Sequence, residues 1–161
     1  MATLYGDQYA AAFVTKPSTK IGIGDVNGHP KRMYFEYTIT AAPTATDVIK
    51  VGKLPIGARV FGAGLKFADL GTAGVLELGH SASATGAQGT AETADDNAFL
   101  ASVDVNTAAD FVTMDQQQEA GGALAGHLKK FTAAVDVEIL VTTAWTVTAG
   151  VIKGYIDFTV P

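Results

Sequence analysis

The residues of this chain best suited to acid-base or metal chemistry are its three histidines, His29, His80 and His127, and their spacing does not gather them. None stands in an HxH, HExxH or HxxxH pattern, so a metal site would need the fold to bring them together. All three fall in segments that read as loops, where solvated imidazoles are expected. Gly79-His80-Ser81-Ala82-Ser83 approaches a nucleophile elbow, but Ser83 replaces the second glycine and no helical period follows. Gly22-Ile23-Gly24-Asp25-Val26-Asn27-Gly28 sets three residues, not two, before its third glycine and lacks a βαβ setting, so it fails the dinucleotide fingerprint. Asp25, Asn27 and Gly28 resemble part of a calcium loop without its distal glutamate. The adjacent carboxylates Asp95 and Asp96 read as caps of a short helix through Ala98, Phe99 and Leu100, with Thr93 as the other candidate cap. No catalytic residue, cofactor site or metal ligand is assigned. A hydrolase built on His80, Ser81 and Asp95 would have nothing to orient it.

Composition narrows the classes further. A chain of 161 residues with 48% apolar content suits one domain with a real core, and the absence of cysteine rules out disulfides and thiolate zinc sites. The start of the chain lacks the basic and apolar regions of a secretory signal, and no segment approaches the length of apolar run that spans a membrane. A net charge of -5 with a pI near 5.0 opposes general nucleic-acid binding. That charge is uneven: residues 1–32 hold Lys16, Lys20, Lys31 and Arg32 against Asp7 and Asp25, a net of +2, which leaves -7 for the rest. Residues 1–32 therefore read as an extended arm with its own partner, ahead of a folded domain over 33–161.

Period-two alternation dominates that domain. Met33 to Thr40 sets Met33, Phe35, Tyr37 and Ile39 on one face; Val135 to Thr142 does the same with Val135, Val137, Ile139 and Val141. Strands are also expected at Asp47 to Val51, Arg59 to Phe67, Val75 to Gly79, Asp110 to Met114 and Val151 to Val160. Within them Gly62 and Gly64 imply a bend or close approach, and Gly154 a bulge. Asp69 to Gly74 is a turn that would join its flanking strands as a hairpin. His80 to Thr93 and Gln116 to His127 read as long polar connections. The pattern predicts an all-β fold, an antiparallel β-sandwich of jelly-roll type with at most one short helix; a β-barrel is the alternative.

One corner is unusually well specified. Leu54 precedes a proline, Pro55 fixes φ, and Gly57 can take positive φ, so Ile49 to Val60 reads as two strands meeting at a tight turn flanked by Lys53 and Arg59. This segment resembles a motif of the small capsid decoration (cement, head-stabilising) proteins of tailed bacteriophages. The likeness continues through the stretch Asn27 to Tyr37, the turn at Asp69 to Gly74, Leu76-Glu77-Leu78-Gly79 and the late strand Gly150 to Val160.

The resemblance implies a non-enzymatic protein on the outer surface of a phage capsid, bridging major capsid protein subunits and stabilising the shell against internal DNA pressure. It also implies a homo-oligomer, a trimer rather than a dimer. Contacts to capsid or subunit are expected at Lys16, Lys20, Lys31, Arg32, Lys53 and Arg59. A carbohydrate- or receptor-binding β-sandwich is the second reading, for which Trp145 with Tyr34 or Tyr155 would be the exposed aromatics.

Overall fold

The computed structural model describes residues 3–5, 30–71, 73–84, 90–106, 110–119 and 124–160. Nine strands run through these residues: β1 (Thr3–Tyr5), β2 (Lys31–Ile39), β3 (Val48–Leu54), β4 (Arg59–Phe67), β5 (Val75–His80), β6 (Asp95–Asp104), β7 (Asp110–Thr113), β8 (Val135–Thr143) and β9 (Gly150–Thr159). A single described helix, α1 (Met114–Glu119), follows β7 directly. The strands form a five-stranded sheet, β1-β3-β8-β5-β6, and a four-stranded sheet, β2-β9-β4-β7.

The pairing is nested and antiparallel: β2 with β9, β3 with β8, β4 with β7 and β5 with β6. It is the pattern of one long two-legged ribbon whose successive rungs alternate between two sheets. Closing pairs β4·β9 and β5·β8 roll that ribbon up, which makes the fold a jelly-roll β-sandwich. Alternation supplies the core: Phe35, Ile39, Leu65, Ile152 and Ile156 face inward from one sheet, and Ile49, Val51, Leu76, Leu78, Val137 and Ile139 from the other. β1 adds to the free edge of β3 in parallel, inside the segment expected to be an arm.

Four expectations are corrected. β4 and β5 are not a hairpin, because they lie in opposite sheets and Asp69 to Gly74 carries the chain across the sandwich. There Asp69 accepts the Gly71 amide at 2.8 Å and Gly71 holds φ at 86°. The helix expected at Ala98 to Leu100 is the middle of β6. All three side chains are buried because the strand bulges heavily: Leu78 pairs with Leu100 but His80 with Asp95, so five steps on β6 match two on β5. His80 ends β5 fully buried, not in a loop. Gly154 lies in regular register rather than at a bulge, whereas the register does shift between Val60 and Gly62.

The need for glycine at 154 is one of space. A Cβ there would run into the ring of Phe35 and sit 2.7 Å from the Gly64 carbonyl oxygen. Gly154→Ala should therefore cost about 1–3 kcal/mol by overpacking, and Phe35→Leu in the same chain should recover part of that loss. Urea unfolding of the four variants of this cycle checks it; an unchanged midpoint for Gly154→Ala would refute the close approach.

Candidate functional site

Pro55 to Ala58 forms the expected tight turn. The Ala58 amide donates to the Pro55 carbonyl at 3.1 Å, and Gly57 takes φ of 85°, a conformation costly for any side chain. The turn joins β3 to β4, which lie in different sheets, so it is a corner of the sandwich. A second segment, residues 124–131, is laced to it by backbone bonds. The Gly57 amide donates to the Phe131 carbonyl at 2.8 Å, the Phe131 amide to Ala58 at 2.9 Å and the Leu128 amide to Val60 at 2.7 Å.

This lacing concentrates positive charge. Arg59 faces Lys130 across an isolated antiparallel bridge, with both side chains exposed. The register Lys31↔Phe158↔Val60 brings the start of β2 to the same end of the sandwich, and with it Lys31 and Arg32; Lys53 ends β3 there. Of the six cations expected at contacts, four thus share one end, while Lys16 and Lys20 lie outside the described residues. Sequence reading missed Lys129, Lys130 and Leu128, which are far from the corner in the chain.

Leu128 is the exceptional member. Its side chain is 56% exposed and its φ is 59°, the left-handed region that costs a branched apolar residue about 1–2 kcal/mol. Neighbouring groups are ordered by charge. Lys129 pairs with Glu92 at 2.9 Å, and Glu92 also accepts the Thr132 amide at 2.6 Å and hydroxyl at 2.7 Å. Burial pushes the Glu92 carboxyl up, but the Thr132 bonds and Lys129 outweigh it and hold it at about 2. Lys53 reaches Asp136 at 3.3 Å.

Beneath this end lies His80. Its Nδ1–H donates to the Ser81 carbonyl at 3.1 Å, and its ring packs edge-on against Phe131 with centroids 4.9 Å apart. Nε2 has no partner among the described residues. Burial lowers its pKa, which favours the neutral imidazole. Among the described residues no three His, Asp or Glu side chains gather as metal ligands.

Along the outer face of β2-β9-β4-β7, Arg32 grips Asp157 in a bidentate pair at 2.5 and 2.6 Å and stacks over Tyr155 at 4.2 Å. Tyr34 is 65% and Phe111 43% exposed beside it, whereas Trp145 is buried in the core and is no exposed aromatic.

On the opposite outer face stands Glu138, which is 7% exposed. Burial lifts its carboxyl, Lys50 opposes, and Asp96 and Asp136 add repulsion, for a value of about 7. Glu77 nearby is also raised, by burial and then by Asp96 and Asp95.

No protein-family model matches the sequence, and no curated protein matches it. Solved structures do. A chain of the capsid of Ralstonia phage GP4 aligns over 99% of this chain and 99% of its own, at 21% identity and a TM-score of 0.68. A chain of the Cyanophage Pam1 capsid asymmetric unit aligns over 91% of this chain and 96% of its own, at 20% identity and a TM-score of 0.60. The fold is one that phage capsids contain. At these identities the likeness establishes the shared fold.

Glu138 yields a stability prediction. A carboxyl with a raised folded pKa binds its proton more tightly folded than unfolded, so stability drains away as pH rises from about 4.5 to about 7 and the loss is complete above that. Glu138→Gln should accordingly be more stable than the parent at pH 8, by about 1–3 kcal/mol, with the gain absent near pH 4. Denaturant titrations at the two pH values test this; equal gains at both would mean that packing, not charge, is responsible.

Proposed function

We propose that this chain is a non-enzymatic structural component of a phage virion, a decoration protein that seats on the outer surface of the capsid and bridges neighbouring major capsid protein subunits. The observation that carries this reading is the likeness of fold over 99% of both chains to a chain of a phage capsid. The local support is the end of the sandwich that holds Leu128, Arg59, Lys53 and Lys130. An exposed leucine ringed by cations has the make-up of a contact: an apolar centre with a charged rim.

The physics of such a role is linkage. A protein that binds the assembled lattice and not separated subunits lowers the free energy of the assembled state by RT ln(1 + [L]/Kd) per site. Repetition over equivalent sites makes modest contacts collectively large. A closed trimer at local threefold positions grips several subunits at once, and Lys16, Lys20 and Lys31 supply further pairing with capsid carboxylates, whereas Arg32 is already held by Asp157.

A second reading draws on the outer stripe of Tyr34, Tyr155, Arg32 and Phe111, which has the flat aromatic surface of a sugar or receptor platform. Saturable glycan binding lost on Tyr34→Ala would favour it over capsid seating.

Purified protein should add to undecorated capsids of its own phage at saturable, stoichiometric occupancy and raise the temperature at which they release DNA; absence of saturable binding overturns the reading. Leu128 separates contact from stability. Leu128→Asn relieves the left-handed strain and should raise stability by up to about 1 kcal/mol. The same change should weaken capsid binding about tenfold or more. Cosedimentation and thermal unfolding measure the two effects, and parental occupancy in this variant would remove Leu128 from the contact.

A further inference from the structure

Glu138 is a carboxylate in an unusual position. Alternation along β8 buries Val137 and Ile139 in the core, so Glu138 points to the outer face, yet it is 93% covered, being only 7% exposed. The cover is the bulged start of β6. Gly79, the cross-strand neighbour of Glu138, has the Asp95 and Asp96 backbone so close above it that a Cβ there would collide with the Asp95 carbonyl. On the other side stands Lys50, directly opposite in register, but its Nζ goes to Asp136 at 2.8 Å, where Lys53 also binds. Two lysines thus share Asp136. Among the described residues none closes an ion pair or hydrogen bond on Glu138. Around it stand Glu77 on β5, Asp95 and Asp96 on β6, and Asp136 on β8, with Lys50 as the near cation on β3.

A buried carboxylate beside Asp96 and Asp136, whose near cation Lys50 is shared with Asp136, gains from a further cation. The same molecule carries the complement. Arg59 and Lys130 sit side by side on their isolated bridge, exposed and outside the ion pairs of the described residues, as a two-pronged cationic fork. Fork and pocket lie on different faces near one end of the sandwich: Asp136, two residues from Glu138, pairs in register with Lys53 beside the corner. A contact between two different patches on one molecule is heterologous, and it closes into a ring where the rotation between successive copies allows.

We propose that the carboxylate pocket of Glu138, rimmed by Glu77 and Asp96, receives a cationic side chain from the Arg59–Lys130 fork of a second copy of this chain. An arriving ammonium or guanidinium group favours the ionised carboxylate, so docking expels the proton that Glu138 holds near neutral pH. Self-association then strengthens as pH rises from 6 to 8, by at most about tenfold per unit for one proton. It weakens with salt.

Sedimentation velocity of the full chain without capsids tests this separately from the capsid reading. The parent protein should associate at pH 8 and low salt, and tenfold or more weakly at pH 6. Glu138→Gln should abolish the pH dependence and weaken association about tenfold. Arg59→Glu with Lys130→Glu should leave a monomer, and so should Glu77→Lys with Asp96→Lys. An equimolar mixture of these last two variants should associate again, through the reversed charges. A parent that stays monomeric at pH 8, or one whose association is untouched by Glu138→Gln, overturns the proposal. Loss in Glu138→Gln with none in the Arg59/Lys130 variant overturns the assigned fork, because the cation then comes from elsewhere. All these substitutions except Glu138→Gln fall at surface rim positions, and circular dichroism confirms that each chain is folded.

Discussion

Everything at the functional end of this molecule depends on how one corner satisfies its backbone. A ribbon that alternates between two sheets must cross the sandwich repeatedly, and at each crossing amide and carbonyl groups leave their ladders and need other partners. At Leu54 to Val60 those partners come from residues 127–131, through the bonds to Gly57, Ala58 and Val60. Gly57 permits the turn, and Phe131 locks it by donating and accepting with its two neighbours across the gap. Because this lacing is obligatory for the corner, it also fixes Leu128, Lys129 and Lys130 beside Arg59. The placement of the cations is thus a consequence of backbone hydrogen bonding and not of attraction among them, since like charges side by side repel.

Strands rich in β-branched and aromatic residues between turn signals were legible in the sequence, even where burial is not confined to one face. Met33 to Thr40, Arg59 to Phe67 and Val135 to Thr142 fall within a residue or two of β2, β4 and β8. β6 was not legible. Its bulge buries Ala98, Phe99 and Leu100 in succession, and three adjacent apolar residues carry no period that tells strand from helix. Nor does a turn signal say whether the two strands it joins pair with each other. Asp69 to Gly74 has the chemistry of a hairpin loop, and the choice to cross the sandwich instead is made by β9 and β8, which occupy the flanks of β4 and β5.

The candidate site was legible only in part, for the same reason. Lys53 and Arg59 stand out beside a turn, but 71 positions separate Arg59 from Lys130, and nothing local in Gly126 to Lys130 reveals that Leu128 is held outward at positive φ. His80 failed in the opposite sense. Its polar successors suggest a loop, whereas its own position continues the inward alternation Leu76, Leu78, His80. That alternation was present in the sequence, and the polarity of Ser81 to Ser83 masked it.

Local costs are not spread evenly over this fold. Leu128 in a left-handed conformation, Glu138 buried under a bulge with no ion pair closed among the described residues, and His80 with an Nε2 that has no partner among them all lie toward the end where the corner, the end of β5 and the start of β6 converge. Other irregularities are milder in kind: Thr46, Ala73 and Ser102 also have positive φ, but with small exposed side chains, and Trp145 leaves one indole N–H without a partner among the described residues. A sandwich with this much regular pairing could accommodate better choices at positions 128 and 138, an asparagine and a glutamine among them. Retaining an exposed leucine against its backbone and a carboxylate against its surroundings makes physical sense if a surface outside the monomer completes both. The remainder of the jelly roll is then the rigid frame that holds two unfinished patches at a fixed angle.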